Sequence, residues 1–239
     1  MTSSRIDSFK HQGMRRKLLE SLRTKDNYSA SVLEAMYRVP RHFFLDPAFE
    51  MQAYEDIAFR INAGQTISQP STVAYQTTLL EVKKGDVILE VGTGSGYQSC
   101  VLLEMGAKVF TIERQRELYE KTSKFLRTIG YAPNCIYGDG YKGLATFAPF
   151  DKIIVTCGAP FVPQDLLAQL KPGGIMVIPV GEGKTQTMTR IVRGAAQSDA
   201  AARKDIFVKA TSTLNENGVE YLKEELKDCS FVPMLTNKS

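Results

Sequence analysis

The chain divides into two halves by the spacing of its apolar positions. From Ser8 to Val39 they recur at helical intervals: Leu18, Leu19 and Leu22 share one face, Val32, Leu33 and Met36 another, and Pro40 ends the run. Residues 41–70 follow without clear period and are rich in aromatics and prolines, the composition of a covering loop. Pro70 opens a helix to about Val82. From Asp86 short apolar runs alternate with amphipathic ones. Strands are predicted at 87–91, 108–113, 134–139, 151–157 and 175–180, and helices at 97–105, 116–129 and 163–170. Two closing strands, 188–194 and 205–213, complete the series. The alternation predicts an α/β fold: a mostly parallel, doubly wound, Rossmann-like sheet. The expected organisation is one domain over 1–239, with 1–85 a helical and loop extension covering the site and 86–239 the cofactor-binding core.

The first strand runs into "EVGTGSGYQS", with glycines at 92, 94 and 96. In such sheets ligands bind beyond the carboxyl ends of the strands, and this turn is the expected seat of a nucleotide. A dinucleotide fingerprint needs its third glycine at position 97, where Tyr97 stands. Glu90, two residues before Gly92, would repel a pyrophosphate and attract a cation. S-adenosyl-L-methionine has no phosphate and carries an ammonium and a sulfonium, so it fits where NAD or FAD does not. Glu113 ends the second strand, placed to accept ribose hydroxyls. Asp139, between glycines in "GDG", can accept from an adenine amine or simply make an Asp-Gly turn.

Composition narrows the chemistry. The 239 residues carry a net charge of +4, with lysine and arginine spread along the chain, as on a solvated surface. No apolar run reaches membrane-spanning length and the start is polar, so the expectation is a cytoplasmic protein. The four cysteines lie far apart, and His11 and His42 are distant from each other and from the glycine turn. Zinc binding and histidine-based nucleophilic catalysis therefore have little to build on.

The segments "VPRHFF" (39–44), "GQTISQP" (64–70), "LEVGTGSGYQS" (89–99), "TIER" (111–114), "APFDKIIVT" (148–156), "LLAQLKPGGIMVIPVG" (166–181) and the late "FVP" (231–233) together resemble the protein-L-isoaspartate (D-aspartate) O-methyltransferase family. The resemblance is dense from Val39 to Gly181 and thin elsewhere. It implies methyl transfer from S-adenosyl-L-methionine to the side-chain carboxyl of isoaspartyl residues in damaged proteins and peptides, and so a repair role. The expected partners are those substrates, with no nucleic acid and no membrane, and the expected state is a monomer. It implies that Ser68 is the active-site serine, that Thr66 and Ile67 line the cofactor pocket, and that Glu113, Arg114, Asp139 and Gly140 meet ribose and adenine. A second reading makes Ser68 the N-cap of the helix that Pro70 opens. Another small-molecule or nucleic-acid acceptor is the alternative function. Tyr54, Asp56 and Ile57 read as packing residues, the alternative being that they cover the cofactor or shape the peptide groove, and the backbone of "VIPVG" (177–181) reads as a strand edge open to a peptide. Phe59-Arg60-Ile61-Asn62 departs from the family's usual Leu-Pro-Ile-Gly.

Overall fold

A computed structural model describes residues 6–194 and 208–235. Ser8 caps α1 (Phe9–Lys25), its hydroxyl accepting from the His11 N–H, and α2 (Ala30–Arg38) follows after a short break. The predicted continuous helical segment is thus two helices. The aperiodic stretch after Pro40 holds two 3₁₀ turns, Arg41–Phe44 and Pro47–Gln52, and a two-rung ladder of β1 (Phe59–Arg60) with β2 (Thr66–Ile67). Next come α3 (Pro70–Leu80), β3 (Val87–Val91), α4 (Tyr97–Glu104), β4 (Lys108–Glu113), α5 (Arg116–Thr128) and β5 (Asn134–Tyr137). They lead to β6 (Phe150–Val155), α6 (Gln164–Ala168), β7 (Leu170–Val180), β8 (Gln186–Arg193), β9 (Ala210–Glu216) and β10 (Val219–Cys229).

The eight-stranded sheet has the order β5-β4-β3-β6-β7-β8-β10-β9. The first five strands are parallel and the last three close the sheet antiparallel. Order reverses between β3 and β6, which opens a crevice at their carboxyl ends. Period-two alternation puts Ile88, Val109, Ile154 and Val177 in one buried cluster with Leu79 and Leu80 of α3 and Leu102 of α4. Leu89, Val91, Ile153 and Met176 face the other way, onto Leu166 and Leu167 of α6. A third cluster joins α1 and α2 to Val73, Tyr97, Cys100 and Leu126, so the N-terminal helices pack on the first βαβ unit.

The closing strands differ most from expectation. β8 is as predicted within two residues, and of the predicted strand 205–213 residues 205–207 lie outside the described residues. The long β10 was not expected. Its "LKEELKD" has helix-forming composition, and Glu224 interrupts the apolar alternation. Glu224 nonetheless occupies a core position, because the Arg190 Nη1 of β8 meets its Oε2 at 2.7 Å. β7 has no free edge: β8 pairs along one side as far as Val180, β6 along the other as far as Val177, and Ala159 takes over there, its N–H bonding Pro179 O at 2.9 Å and its carbonyl accepting from Gly181 N–H at 2.8 Å. The expectation that 177–181 offers its backbone to a peptide is thereby corrected.

Candidate active site

A cleft opens at the ends of β3, β4 and β6, walled on its other sides by the loop before α3 and by the C-terminal segment. Gly92 and Gly94 form its floor. Both have positive φ (100° and 51°), and a Cβ on Gly92 would stand 2.7 Å from Thr156 Oγ1. That hydroxyl donates to the carbonyls of Gly92 and Val91, tying the end of β6 to the turn. Gly96 does not line the cleft. It caps α4 with φ 83°, and its missing Cβ lets Leu126 of α5 approach.

Glu113 lines the cleft where expected. Its Oε2 accepts from Gly94 N–H at 3.0 Å and its Oε1 from Gln115 N–H at 2.9 Å, so it sets the shape of the glycine turn. Arg114 and Gly140 are also on the wall, whereas Asp139 is set back and caps the following 3₁₀ turn through Tyr141 N–H at 3.0 Å. Thr66, Ile67 and Ser68 form the opposite wall. Ser68 is not the helix cap. Gln69 holds that position, and the α3 N–H of Ser71 goes to Asp56 Oδ1 at 2.8 Å. Among the described residues the Ser68 hydroxyl has no hydrogen-bond partner.

Glu90 lies inside β3 and is wholly buried. Its Oε2 accepts a hydrogen bond from Ser99, and burial pushes the carboxyl up to about 8. At neutral pH it holds its proton, so the anionic turn mouth that the sequence suggested is a neutral acid until a cation draws the proton off. Its Oε1 has no hydrogen-bond partner among the described residues. Neither does the buried Oε1 of Gln98, another cleft residue. Once a cation draws the Glu90 proton off, its Oε1 and that of Gln98 are two acceptors on one wall, which suits an ammonium group. Together with a glycine floor and a carboxylate at the end of β4, they fit S-adenosylmethionine. Tyr97 shapes the cleft from below, its ring edge-on to Phe44 at 5.4 Å.

Gln98 and Thr156 were not singled out in the sequence, because a polar side chain at a helix start or strand end has many ordinary uses. The C-terminal segment Val232–Leu235 also closes one wall. Gly158 holds it on both sides, donating to Val232 O at 2.8 Å and accepting from Met234 N–H at 2.7 Å. The "FVP" match was its one trace in the sequence. Tyr54 and Asp56 stay outside the cleft as packing and capping residues, Tyr54 bonding His42 Nδ1 at 2.7 Å and Arg15 at 3.0 Å. The two histidines, far apart in sequence, stack at 3.9 Å beside Asp7, away from the cleft. The four cysteines are free thiols, and only Cys157 reaches the wall.

Sheet order, glycine turn and acceptor set define a Rossmann-like, S-adenosylmethionine-dependent methyltransferase. Comparison gives the particular family: the protein-L-isoaspartate(D-aspartate) O-methyltransferase model matches residues 13–215, and the chain belongs to that family. Protein-L-isoaspartate O-methyltransferase of Christiangramia forsetii is 50% identical over 234 residues, covering 98% of this chain and 99% of the relative. That of Cytophaga hutchinsonii is 57% identical over 187 residues, 78% of this chain and 85% of the relative. A solved protein-L-isoaspartate O-methyltransferase superposes with a TM-score of 0.71 at 27% identity, over 93% of this chain and 66% of that one. A Plasmodium falciparum structure described as a putative protein-L-isoaspartate O-methyltransferase, solved with S-adenosyl-L-homocysteine, shares the fold at TM-score 0.72 and 24% identity. The match covers 93% of this chain and 99% of that one.

Proposed function

We propose that this cleft aligns an isoaspartyl side-chain carboxylate, held by Ser68, with S-adenosylmethionine held by the glycine turn. The reaction is the family's own, methyl transfer to the carboxyl of L-isoaspartyl residues in proteins and peptides. Its roles are assigned to this chain's residues as follows. Glu90 and Gln98 take the ammonium, and Glu113, with Arg114 beside it, takes the ribose. Gly140 borders the adenine, with Asp139 behind it capping the 3₁₀ turn, and Thr66, Ile67 and Tyr97 pack the pocket. Gly92 and Gly94 permit close approach, while Gly96 fixes the helix behind them.

When bound, the cofactor supplies an electrophilic methyl on a sulfonium. The chain needs no base, because a carboxylate acceptor with a pKa near ~4 is already ionised at neutral pH. What remains is to strip water from that carboxylate and hold it in line. The Ser68 hydroxyl is suited to donate a charge-assisted hydrogen bond to one carboxylate oxygen and leave the other to react. The observation that carries this reading is that Ser68 and the glycine turn wall the same cleft while the helix start beside Ser68 is capped by other residues. A small-molecule or nucleic-acid acceptor is not favoured, since relatives named for the isoaspartate reaction match nearly the whole chain.

We further propose one domain, with residues 1–85 covering the site, working as a cytoplasmic monomer that binds neither nucleic acid nor membrane. The spread of basic residues supports this, and no described helix is long and apolar enough to cross a membrane. Light scattering at a dimer's mass would refute the monomer.

The test uses labelled cofactor and paired peptides differing only in an isoaspartyl or aspartyl residue. Label should enter the isoaspartyl peptide alone, and equal labelling of both would overturn the assignment. Ser68→Ala should lower kcat about 10²-fold, as loss of a positioned donor does, with S-adenosylhomocysteine affinity kept. Unchanged kcat would remove Ser68 from the mechanism.

A further inference from the structure

Arg41 is 1% exposed, the largest fully buried side chain described. A buried guanidinium is ordinarily paired with a carboxylate. Here its hydrogen bonds go to backbone carbonyls: Nε to Ala53 O at 3.0 Å, Nη1 to Ser68 O at 2.9 Å and Nη2 to Ile57 O at 3.1 Å. The Tyr97 ring lies 5.4 Å from its central carbon, within cation–π range. The nearby Asp56 is committed to Lys25 Nζ and Ser71 N–H, each at 2.8 Å. Burial pulls the guanidinium down to about 10, which leaves it charged at neutral pH.

A buried cation without its own carboxylate is costly, and an apolar side chain would fill the space more cheaply. Such a side chain could not gather three carbonyls from three points of a loop. Tyr54, Phe59 and Ile67 anchor the rest of that loop in the core, and among the described residues Arg41 alone binds the Ser68 carbonyl. Ser68 stands between a two-rung ladder and the first turn of α3, and the cap residue Gln69 makes no side-chain capping bond. Tyr97, on the other side of the guanidinium, is the first residue of the helix that leaves the glycine turn. One planar group thus touches both walls of the cleft.

We propose that Arg41 is a positioning residue for methyl transfer: its guanidinium fixes the Ser68 backbone against Tyr97 and so sets the distance from the acceptor-holding hydroxyl to the cofactor turn. This rests on the role given to Ser68 above. Transfer in line is sensitive to displacements near 1 Å, which can cost on the order of 10²-fold in rate. Lysine keeps the charge but lacks the fork that spans three carbonyls.

The experiment is a double-mutant cycle of Arg41→Lys and Ser68→Ala, with kcat on an isoaspartyl peptide, S-adenosylhomocysteine affinity and melting temperature measured for each variant. Arg41→Lys should lower kcat by ~30- to 100-fold and leave the product affinity within about threefold. In the Ser68→Ala background it should cost no more than about threefold, because the group it positions is already gone. A purely structural role would instead lower the melting temperature and multiply with Ser68→Ala, and that additive result overturns the proposal. So does a folded Arg41→Lys enzyme with ordinary kcat. Full activity in Ser68→Ala alone would remove the premise and the proposal together, while a slow Ser68→Ala with additive Arg41→Lys removes the proposal only. If the lysine variant does not fold, Arg41→Gln removes the buried charge, keeps a donor and serves in the same cycle.

Discussion

Glu90 carries the sharpest consequence at the scale of single residues. Burial raises its carboxyl from the ordinary 4.5 to about 8. Between those values the unfolded chain is ionised and the folded one is not, so this group makes folding less favourable as pH rises from about 4.5 to 8. A bound ammonium would favour the ionised form. Binding of S-adenosylhomocysteine should therefore release a proton near pH 7, and its affinity should rise with pH until about 8 and then level. Calorimetry in buffers of different ionisation enthalpy reads the released proton. Glu90→Gln should abolish the release, and undiminished release in that variant would assign the proton to another group. Residue identity made Glu90 and Glu113 visible in the sequence. It did not reveal the protonation state, which depends on how much water the fold excludes.

Elements were legible where local pattern and tertiary demand agree. Strands β3, β4 and β6 announce themselves as apolar runs because a parallel sheet is covered on both faces. The third glycine of the turn was visible too, but its purpose was not: it serves the contact between α4 and α5 rather than the ligand. Gly96→Ala should add a Cβ 2.8 Å from Leu126 Cδ2 on a backbone with φ 83°. We expect a loss of about 1–3 kcal/mol and a melting temperature lower by about 2–4 °C per kcal/mol, with S-adenosylhomocysteine affinity falling less than in Gly92→Ala. Equal affinity losses in the two would place Gly96 in the binding floor. β10 shows the opposite case. Its sequence favours helix, and it becomes a strand because β8 offers a partner ladder and Arg190 a counter-charge for Glu224.

Over the whole molecule the cleft is completed by segments that precede and follow the α/β core in the chain. The segment around Ser68 supplies one wall and Val232–Leu235 another, laced to Gly158 by two backbone hydrogen bonds. Truncation after Ser230 should leave the sheet intact and weaken S-adenosylhomocysteine binding at least ~10-fold, since these residues exclude water from the site. Circular dichroism and calorimetry check the two halves of that expectation, and unaltered affinity would show the strap to be incidental. The N-terminal helices contribute differently, by burying the back of the loop that Arg41 gathers.

By itself the sequence determined the sheet's alternating plan, the glycine turn and the carboxylate beyond the second strand, since each is written in neighbouring residues whose spacing has a local physical meaning, while the serine loop was legible through the family resemblance. Only the tertiary structure decided that Glu90 holds a proton, that β10 is a strand, that β7 has no edge to offer, and that Arg41, Gln98 and the C-terminal segment belong to the cleft or its support. Those outcomes depend on burial and on partners far away along the chain. Desolvation, strand pairing and hydrogen-bond satisfaction are properties of an assembled interior, which no local window of residues contains.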